Sequence, residues 1–384
     1  MISQRKIAET LGISTSTVAN ILYGNPNYKK ETRERVLATA AALGYQRNRA
    51  SIAIQRGRSN LIGVIHFGSS YENASRAIFF IIQALREHGY DYLVVDQRWH
   101  AGNTQKMLDE MLQSRVEGVV LVGSGGREET FNDRSLALLE RSGIPVVSLY
   151  GDDYLDVPLV GDSNRSSYCA MANHLLSLGH RRLLLPSLPF TQRSTVGKGE
   201  GFQMALEKAG ECLVLKEDEF REAWPKLLRK RRRSPQGIIV QQDMARYGHD
   251  IVKAYYEFGK WLFTANALPD AIMCANDRAA CGIFSAAHDF GIKIPQDVAV
   301  TGSDDEFPGE LPIFRLTTIR MDIARSSRAA MTMLIQRIKK KSLSKKKMDF
   351  PSELLVRQSC GRRVGPGDDP ELIIPVDPVP TRAS

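Results

Sequence analysis

Between Gly12 and Gly24 lies Ile13-Ser-Thr-Ser-Thr-Val-Ala-Asn-Ile-Leu-Tyr23, and no other stretch restricts this chain so tightly. Just before it, Ile7, Ala8 and Leu11 repeat at the spacing of one helical stripe. Ser3 is placed to cap that helix, and Gly12 supplies the left-handed residue a sharp stop needs. A second helix starts at once. Ser14 caps it, Val18, Ile21 and Leu22 face back toward the first helix, and Gly24 closes it. Two short helices joined by a tight glycine turn form the helix-turn-helix arrangement, whose second helix enters the major groove of DNA. Its outward face carries Thr15, Ser16, Thr17, Ala19 and Asn20, short side chains suited to base edges and phosphates at close range. Thr15, Ser16 and Asn20 are the candidates for base contacts. Ser14 and Thr17 are candidates for phosphates. A third helix is predicted over 31–43, with Val36, Leu37, Ala40 and Leu43 on one face.

A generic three-helix bundle would share these helices, and charge separates the two cases. Residues 1–60 hold ten lysines and arginines against three glutamates, in a chain whose whole net charge is +9. A basic head on a body of mixed charge is the electrostatic footprint of a nucleic-acid binder.

The 384 residues leave room for further domains. At 43% hydrophobic and 25% charged, the composition is that of a globular protein. No apolar run approaches the ~20 residues of a membrane span. The N-terminus shows no apolar signal region after its charges, so a cytoplasmic location is expected. Five scattered cysteines form no Cys-x-x-Cys pair and read as reduced thiols. The histidines, His174 and His180 among them, show no metal-ligand spacing, so neither metal nor cofactor is expected.

From Leu61 the pattern changes to buried strands alternating with helices. Strand-like runs at 61–67, 91–95, 118–122 and 145–149 enclose helical ones at 76–88, 104–113 and 133–141. The alternation resumes with strands at 182–186, 237–241, 271–275 and 298–302 between helices at 167–178, 201–209, 247–258 and 278–290. Continuous apolar strands separated by helices predict doubly wound parallel sheets of the α/β class, and there are enough strands for two. Residues 211–236, with the run Arg229-Lys-Arg-Arg-Arg233, read as an insertion, either a solvated helix or an additional contact surface. A second basic run spans 337–347.

Taken together, Ile7-Ala8, Gly12-Ile-Ser14, Thr17-Val18, Ile21-Leu22-x-Gly24, Glu31-Thr-Arg-x-Arg-Val36 and Leu43-Gly-Tyr45 resemble the headpiece of the lactose/galactose-repressor (LacI/GalR) family. The likeness continues through Val160-Gly-Asp162, Gly291-x-x-Ile-Pro295, Gly302-x-Asp304-Asp305 and Leu316-Thr-Thr-Ile319, and covers about residues 4–361. It implies a helix-turn-helix headpiece (1–48) and a hinge helix (49–60). It also implies a periplasmic-binding-protein-like core of two subdomains, one from 61–163 and 322–350, the other from 164–321 and 351–363. Residues 364–384, rich in Pro and Asp, are expected to be a disordered tail. The implied protein is a transcriptional regulator, a repressor in kind, that binds palindromic double-stranded DNA as a homodimer and holds a sugar or nucleoside-like effector in the inter-subdomain cleft.

The resemblance also assigns residues. In the hinge, Ile54 takes the place of the leucine that wedges into the minor groove, with Arg49 beside it on the DNA. The effector candidates lie where strands end, as open α/β sheets require: Tyr71 and Asn73 after the first strand, Asp162, Asn276, and Asp304, which matches the family's ligand-binding aspartate. Asp304 and Asp162 could instead be structural caps or turn formers. Lys198 stands where the family usually has an arginine, keeping the charge but losing the planar fork. Tyr150 stands where an aspartate often faces the ligand. Three departures fall in the head and hinge: Arg47 for a proline, Ser51-Ile52 for Ala-Arg, and Lys29 for a capping serine.

Two rivals share parts of this pattern. A sugar-binding protein without specific DNA binding would share the core but not the basic head. An enzyme is not expected, because Gly123-Ser-Gly-Gly126 lacks the Gly-Lys-Ser/Thr ending of a phosphate loop and no Ser-His-Asp arrangement stands in a recognisable context.

Overall fold

The computed structural model describes residues 2–45, 58–67, 71–96, 104–123, 131, 133–150, 157–162, 164–187, 193–207, 212–229, 235–242, 250–265, 268–339, 347–365 and 369–378. Two compact units emerge, one of Met1–Leu61 with Arg115–Glu117, the other of Ile62–Ser114 and Gly118–Ser384.

The first unit contains α1 (Gln4–Leu11), α2 (Thr15–Leu22) and α3 (Lys30–Ala42). Ile7, Ala8, Val18, Ile21, Leu22, Val36 and Ala40 form its core. Ser3 accepts from the Lys6 N–H at 3.3 Å, and Gly12 ends α1 at φ 65°. Leu37 departs from the expected apolar face: it is 42% exposed, because the two preceding helices already fill the groove against Val36 and Ala40. Lys29 makes no side-chain cap to α3.

In the second unit, β1 (Leu61–His66), β2 (Asp91–Asp96), β3 (Gly118–Val122), β4 (Val146–Leu149), β5 (Leu159–Asp162) and β12 (Lys347–Phe350) form a six-stranded sheet in the order β12-β5-β4-β3-β1-β2. Its pairings from β12 across to β1 are parallel. Strands β3 and β4 are buried along their whole length, as parallel strands covered on both faces must be. The helices α4 (Tyr71–Glu87), α5 (Thr104–Gln113), α6 (Asp133–Arg141) and α12 (Ile323–Ile338) belong to this half. A second sheet, in the order β10-β9-β6-β8-β7, contains β6 (Leu183–Ser187), β7 (Cys212–Lys216), β8 (Gly237–Gln241), β9 (Ala271–Met273) and β10 (Ala299–Thr301). With it go α7 (Asn164–Ser177), α8 (Arg193–Leu206), α9 (Glu217–Arg229), α10 (Ile251–Thr264) and α11 (Asp277–Asp289). Helices α10 and α11 approach so closely that a Cβ on Gly282 would stand 2.4 Å from the Val252 carbonyl oxygen. The chain passes between the halves after β5, after β11 (Thr318–Met321), where Asp322 caps α12, and between β12 and β13 (Ser352–Val356).

Two expectations need correction. The stretch 211–236 is no insertion. β7 pairs with β8 along its length, and α9 buries Phe220 and Trp224, with Phe220 5.8 Å from the Phe258 ring. The flanking charges conceal that three-to-four spacing in the sequence. Residues 230–234 and 340–346 of the two basic runs lie outside the described residues. The tail is not wholly disordered either: β14 (Leu372–Val376) adds antiparallel to β13 in a three-stranded sheet, β11-β13-β14. Val376 is buried, which anchors the strand, and Pro375 is tolerated because β14 is an edge.

Candidate nucleic-acid interface and effector cleft

Helix α2 is held from behind and bare in front. Val18, Ile21 and Leu22 are buried, whereas Ser14, Thr15 and Ser16 are exposed and Thr17 is half-buried. The Ser14 hydroxyl accepts from the Thr17 N–H at 3.1 Å and lies 2.9 Å from the Ser16 hydroxyl and 2.8 Å from that of Thr17. Three of the candidate DNA contacts thus form one hydroxyl cluster at the N-terminus of α2, where unsatisfied N–H groups already favour a phosphate. Asn20 is half-buried and donates through Nδ2 to the Tyr28 hydroxyl at 3.0 Å, which fixes its amide plane. Gln4 donates to the hydroxyls of Tyr23 and Tyr45, tying α1 to the chain on either side of α3. Arg49 and Ile54 lie outside the described residues, as do residues 49–57 of the hinge.

In the second unit, the structure brings several effector candidates to the C-terminal ends of β6, β9 and β10. Lys198, on α8, donates from Nζ to the Ala275 carbonyl at 2.6 Å and stands 5.2 Å from the centroid of the Tyr168 ring. Tyr168 is buried on α7 and donates to the carbonyls of Cys274 and Ala275, each at 3.0 Å. Burial pushes its hydroxyl well above the usual phenol range, and the nearby Asp304 pushes it further. The Tyr255 hydroxyl, also buried, donates to the Pro186 carbonyl and accepts from the Ala275 N–H.

Asp304 follows β10 at φ 110°, and Asp305 follows at φ 49°. Two successive aspartates in the left-handed region cost about 1–3 kcal/mol each and persist only when the surroundings hold them. The Asp304 N–H donates to the Ile319 carbonyl at 2.8 Å, and the Asp305 carboxylate pairs with Arg357 at 2.9 Å and Arg320 at 3.7 Å. Behind them lies Asp277, only 2% exposed. It accepts from the Thr318 hydroxyl at 2.6 Å and the Glu306 N–H at 2.8 Å. Burial drives its carboxyl well above the usual range, and the charges of Asp304 and Asp305 add to the rise. Gly302 makes room for it, since a Cβ there would stand 2.1 Å from Oδ1.

The remaining candidates divide. Asn276 is a cap: its oxygen accepts from the Ala279 N–H at 2.8 Å at the start of α11, which fixes its amide at the end of β9. Asn73 is 9% exposed in the first turn of α4, and neither its Oδ1 nor its Nδ2 meets a hydrogen-bond partner. Its backbone N–H donates to Glu306 Oε1 at 3.3 Å. Tyr71 begins α4 and Asp162 ends β5, paired with Phe350, but their side chains lie outside the described residues. At Tyr150, φ is 59° and the hydroxyl bonds to that of Ser326, so it is engaged within its own half of the core. Tyr168, Asp277 and Glu306 carry no local signal that would have singled them out. Among the described residues there is no cluster of three metal-ligating side chains and no helix long and apolar enough to cross a membrane.

Comparison with known proteins places this geometry. A model of the periplasmic binding proteins and sugar-binding domain of the LacI family matches residues 75–231, and one of a periplasmic binding protein-like domain matches 172–360. An HTH-type transcriptional regulator from the aml 5′ region of Streptomyces limosus is 28% identical over 366 residues, covering 94% of this chain and 95% of its own. The lac repressor dimer bound to operator and the anti-inducer ONPF superposes with a TM-score of 0.73 at 19% identity, over 94% of this chain and 99% of that one. The regulator CelR in complex with cellobiose gives 0.62 at 20%, over 94% and 100%.

Proposed function

Because the chain belongs to the LacI family of transcriptional regulators, we propose that it is a repressor that reads a palindromic operator as a homodimer and is controlled by a small hydroxyl-rich effector in the cleft of its core. The observation that carries this is the hydroxyl cluster of Ser14, Ser16 and Thr17 on a helix whose other face is packed into the headpiece core. One such helix reads a half-site, so two-fold symmetry of the protein calls for a two-fold operator. The effector side rests on Asp304, Lys198 and Asn73. A carboxylate, a cation and an amide that lacks a partner suit the hydroxyls of a sugar, the ligand that the CelR complex holds. Effector binding changes operator affinity only by the difference in its affinity for two arrangements of the core. In this reading the chain binds and does not catalyse, and it works in the cytoplasm, where its DNA is.

Selection of bound sequences from a random pool of duplexes, repeated over a salt series, tests it. A pseudo-palindrome bound far more tightly than bulk DNA is the expected result. Binding that is the same for every sequence and steep in salt is that of a non-specific basic protein and would overturn the reading.

A further inference from the structure

Helix α4 presents, at its N-terminus, backbone N–H groups that no helical carbonyl can reach. Such an end attracts anions, and phosphates or carboxylates of ligands settle there readily. Here a carboxylate of the chain itself has taken the place. Glu306 comes from the other half of the core, 233 positions along the chain, and its Oε1 accepts from the Asn73 N–H at 3.3 Å. The side chain is 3% exposed. Its backbone is pinned from behind, with its N–H on Asp277 and its carbonyl accepting from Gly309 at 3.0 Å. At the same end of α4, Asn73 keeps a buried amide with neither oxygen nor nitrogen hydrogen-bonded. Buried amides without partners are rare, and one beside a cleft points to a ligand group that completes it.

We propose that Glu306 sets the charge of the molecule this cleft accepts. Its carboxylate holds the anion position at the N-terminus of α4, so a ligand bearing a phosphate or carboxylate at that end is repelled. A neutral ligand fits beside it and satisfies the Asn73 amide with a hydroxyl, which can both donate and accept. A like charge placed against the wrong ligand sets specificity alongside the contacts made with the right one. The inference rests on the cleft being the effector site.

The test uses the full chain and inorganic phosphate as the probe, with thermal unfolding as the readout and chloride at matched ionic strength as the control. Phosphate bound by the basic headpiece is common to all variants and cancels in the comparison. Glu306→Ala vacates the anion position. Its phosphate-induced rise in Tm should exceed that of the unaltered protein by about 2–4 °C at phosphate tenfold above its Kd. Glu306→Gln, which keeps the shape and an acceptor for the Asn73 N–H, should fall between the two. An equal phosphate response in all three proteins overturns the proposal. Should Glu306→Ala fail to fold, Glu306→Gln decides alone: a response above that of the unaltered protein supports the proposal, and an equal one overturns it. The assay involves neither DNA nor effector, so its failure leaves the operator selection standing, and failure of that selection leaves the phosphate result readable.

Discussion

The guanidinium of Arg357 stands 2.9 Å from the Asp305 carboxylate and so joins the end of β13 to the loop that carries Asp304. The same guanidinium reaches Glu371 at 2.5 Å, just before β14, and donates to the Leu316 carbonyl at 3.1 Å. Asp305 is one of the two left-handed aspartates, and this pair is part of what holds that strain.

Arg357→Met would take the guanidinium from Glu371 and the donor from the Leu316 carbonyl, and leave Asp305 with Arg320 at 3.7 Å. With Arg357 only 8% exposed, a loss of about 3 kcal/mol is expected. Glu371→Gln, at the more open end of the network, should cost no more than about 1 kcal/mol. Urea unfolding of the core, followed by tryptophan fluorescence, measures both. A smaller loss for Arg357→Met than for Glu371→Gln would place the anchor elsewhere.

Two substitutions in α2 should part stability from recognition. Ser14→Ala removes the 3.1 Å cap to the Thr17 N–H and should destabilise the headpiece by about 1 kcal/mol. Thr15→Ala alters an exposed side chain outside the core and should leave headpiece melting unchanged. Its effect should be a loss of about 1–3 kcal/mol in discrimination at one operator base pair, measured by competition between duplexes. Equal affinity for all duplexes before and after Thr15→Ala would remove Thr15 from the base contacts.

Tyr168→Phe takes a donor from the Cys274 and Ala275 carbonyls together. Lys198 still serves Ala275, so Cys274 is the group left wanting, and about 1–3 kcal/mol of core stability should be lost. Lys198→Met alone should cost less, since Tyr168 continues to serve the same carbonyl.

Asp277 predicts a pH dependence of definite sign. Its carboxyl is raised in the folded state by burial, so above the ordinary value of about 3.9 the folded protein binds more protons at this site than the unfolded chain. The contribution of this group to stability is therefore full at acid pH and falls as pH rises toward its folded value. Asp277→Asn can accept from the Glu306 N–H through its oxygen and donate to the Thr318 hydroxyl through its nitrogen. Relative to the unaltered protein, its Tm should rise as pH increases from 5 to 8. A difference in Tm that stays constant over that range would show that Asp277 does not titrate this way.

The sequence by itself determined the headpiece, because everything that builds it is local. Ser3, Gly12 and Ser14 punctuate helices within a few residues of their own position, and Ile7, Ala8, Val18 and Ile21 repeat at helical spacing. It determined the alternation of strands and helices in the core for the same reason, since β3 is apolar throughout and β4 is apolar but for Ser148. The α9 stripe of Phe220 and Trp224 was hidden among charges, and β14 among acidic and proline residues, because each gains its stability from a distant partner: the rings of α10 for one, the edge of β13 for the other. The candidate cleft divides in the same way. Asp304 was legible at a strand end and Lys198 through the family resemblance, whereas Asn276 became a cap only once α11 was seen to begin beside it. Tyr168, Asp277 and Glu306 belong to the tertiary structure alone. Their meaning lies in carbonyls 106 and 107 residues away, a hydroxyl 41 away and an N–H 233 away, and a side chain's environment at such separations is set by how sheets and helices pack, which no local pattern encodes.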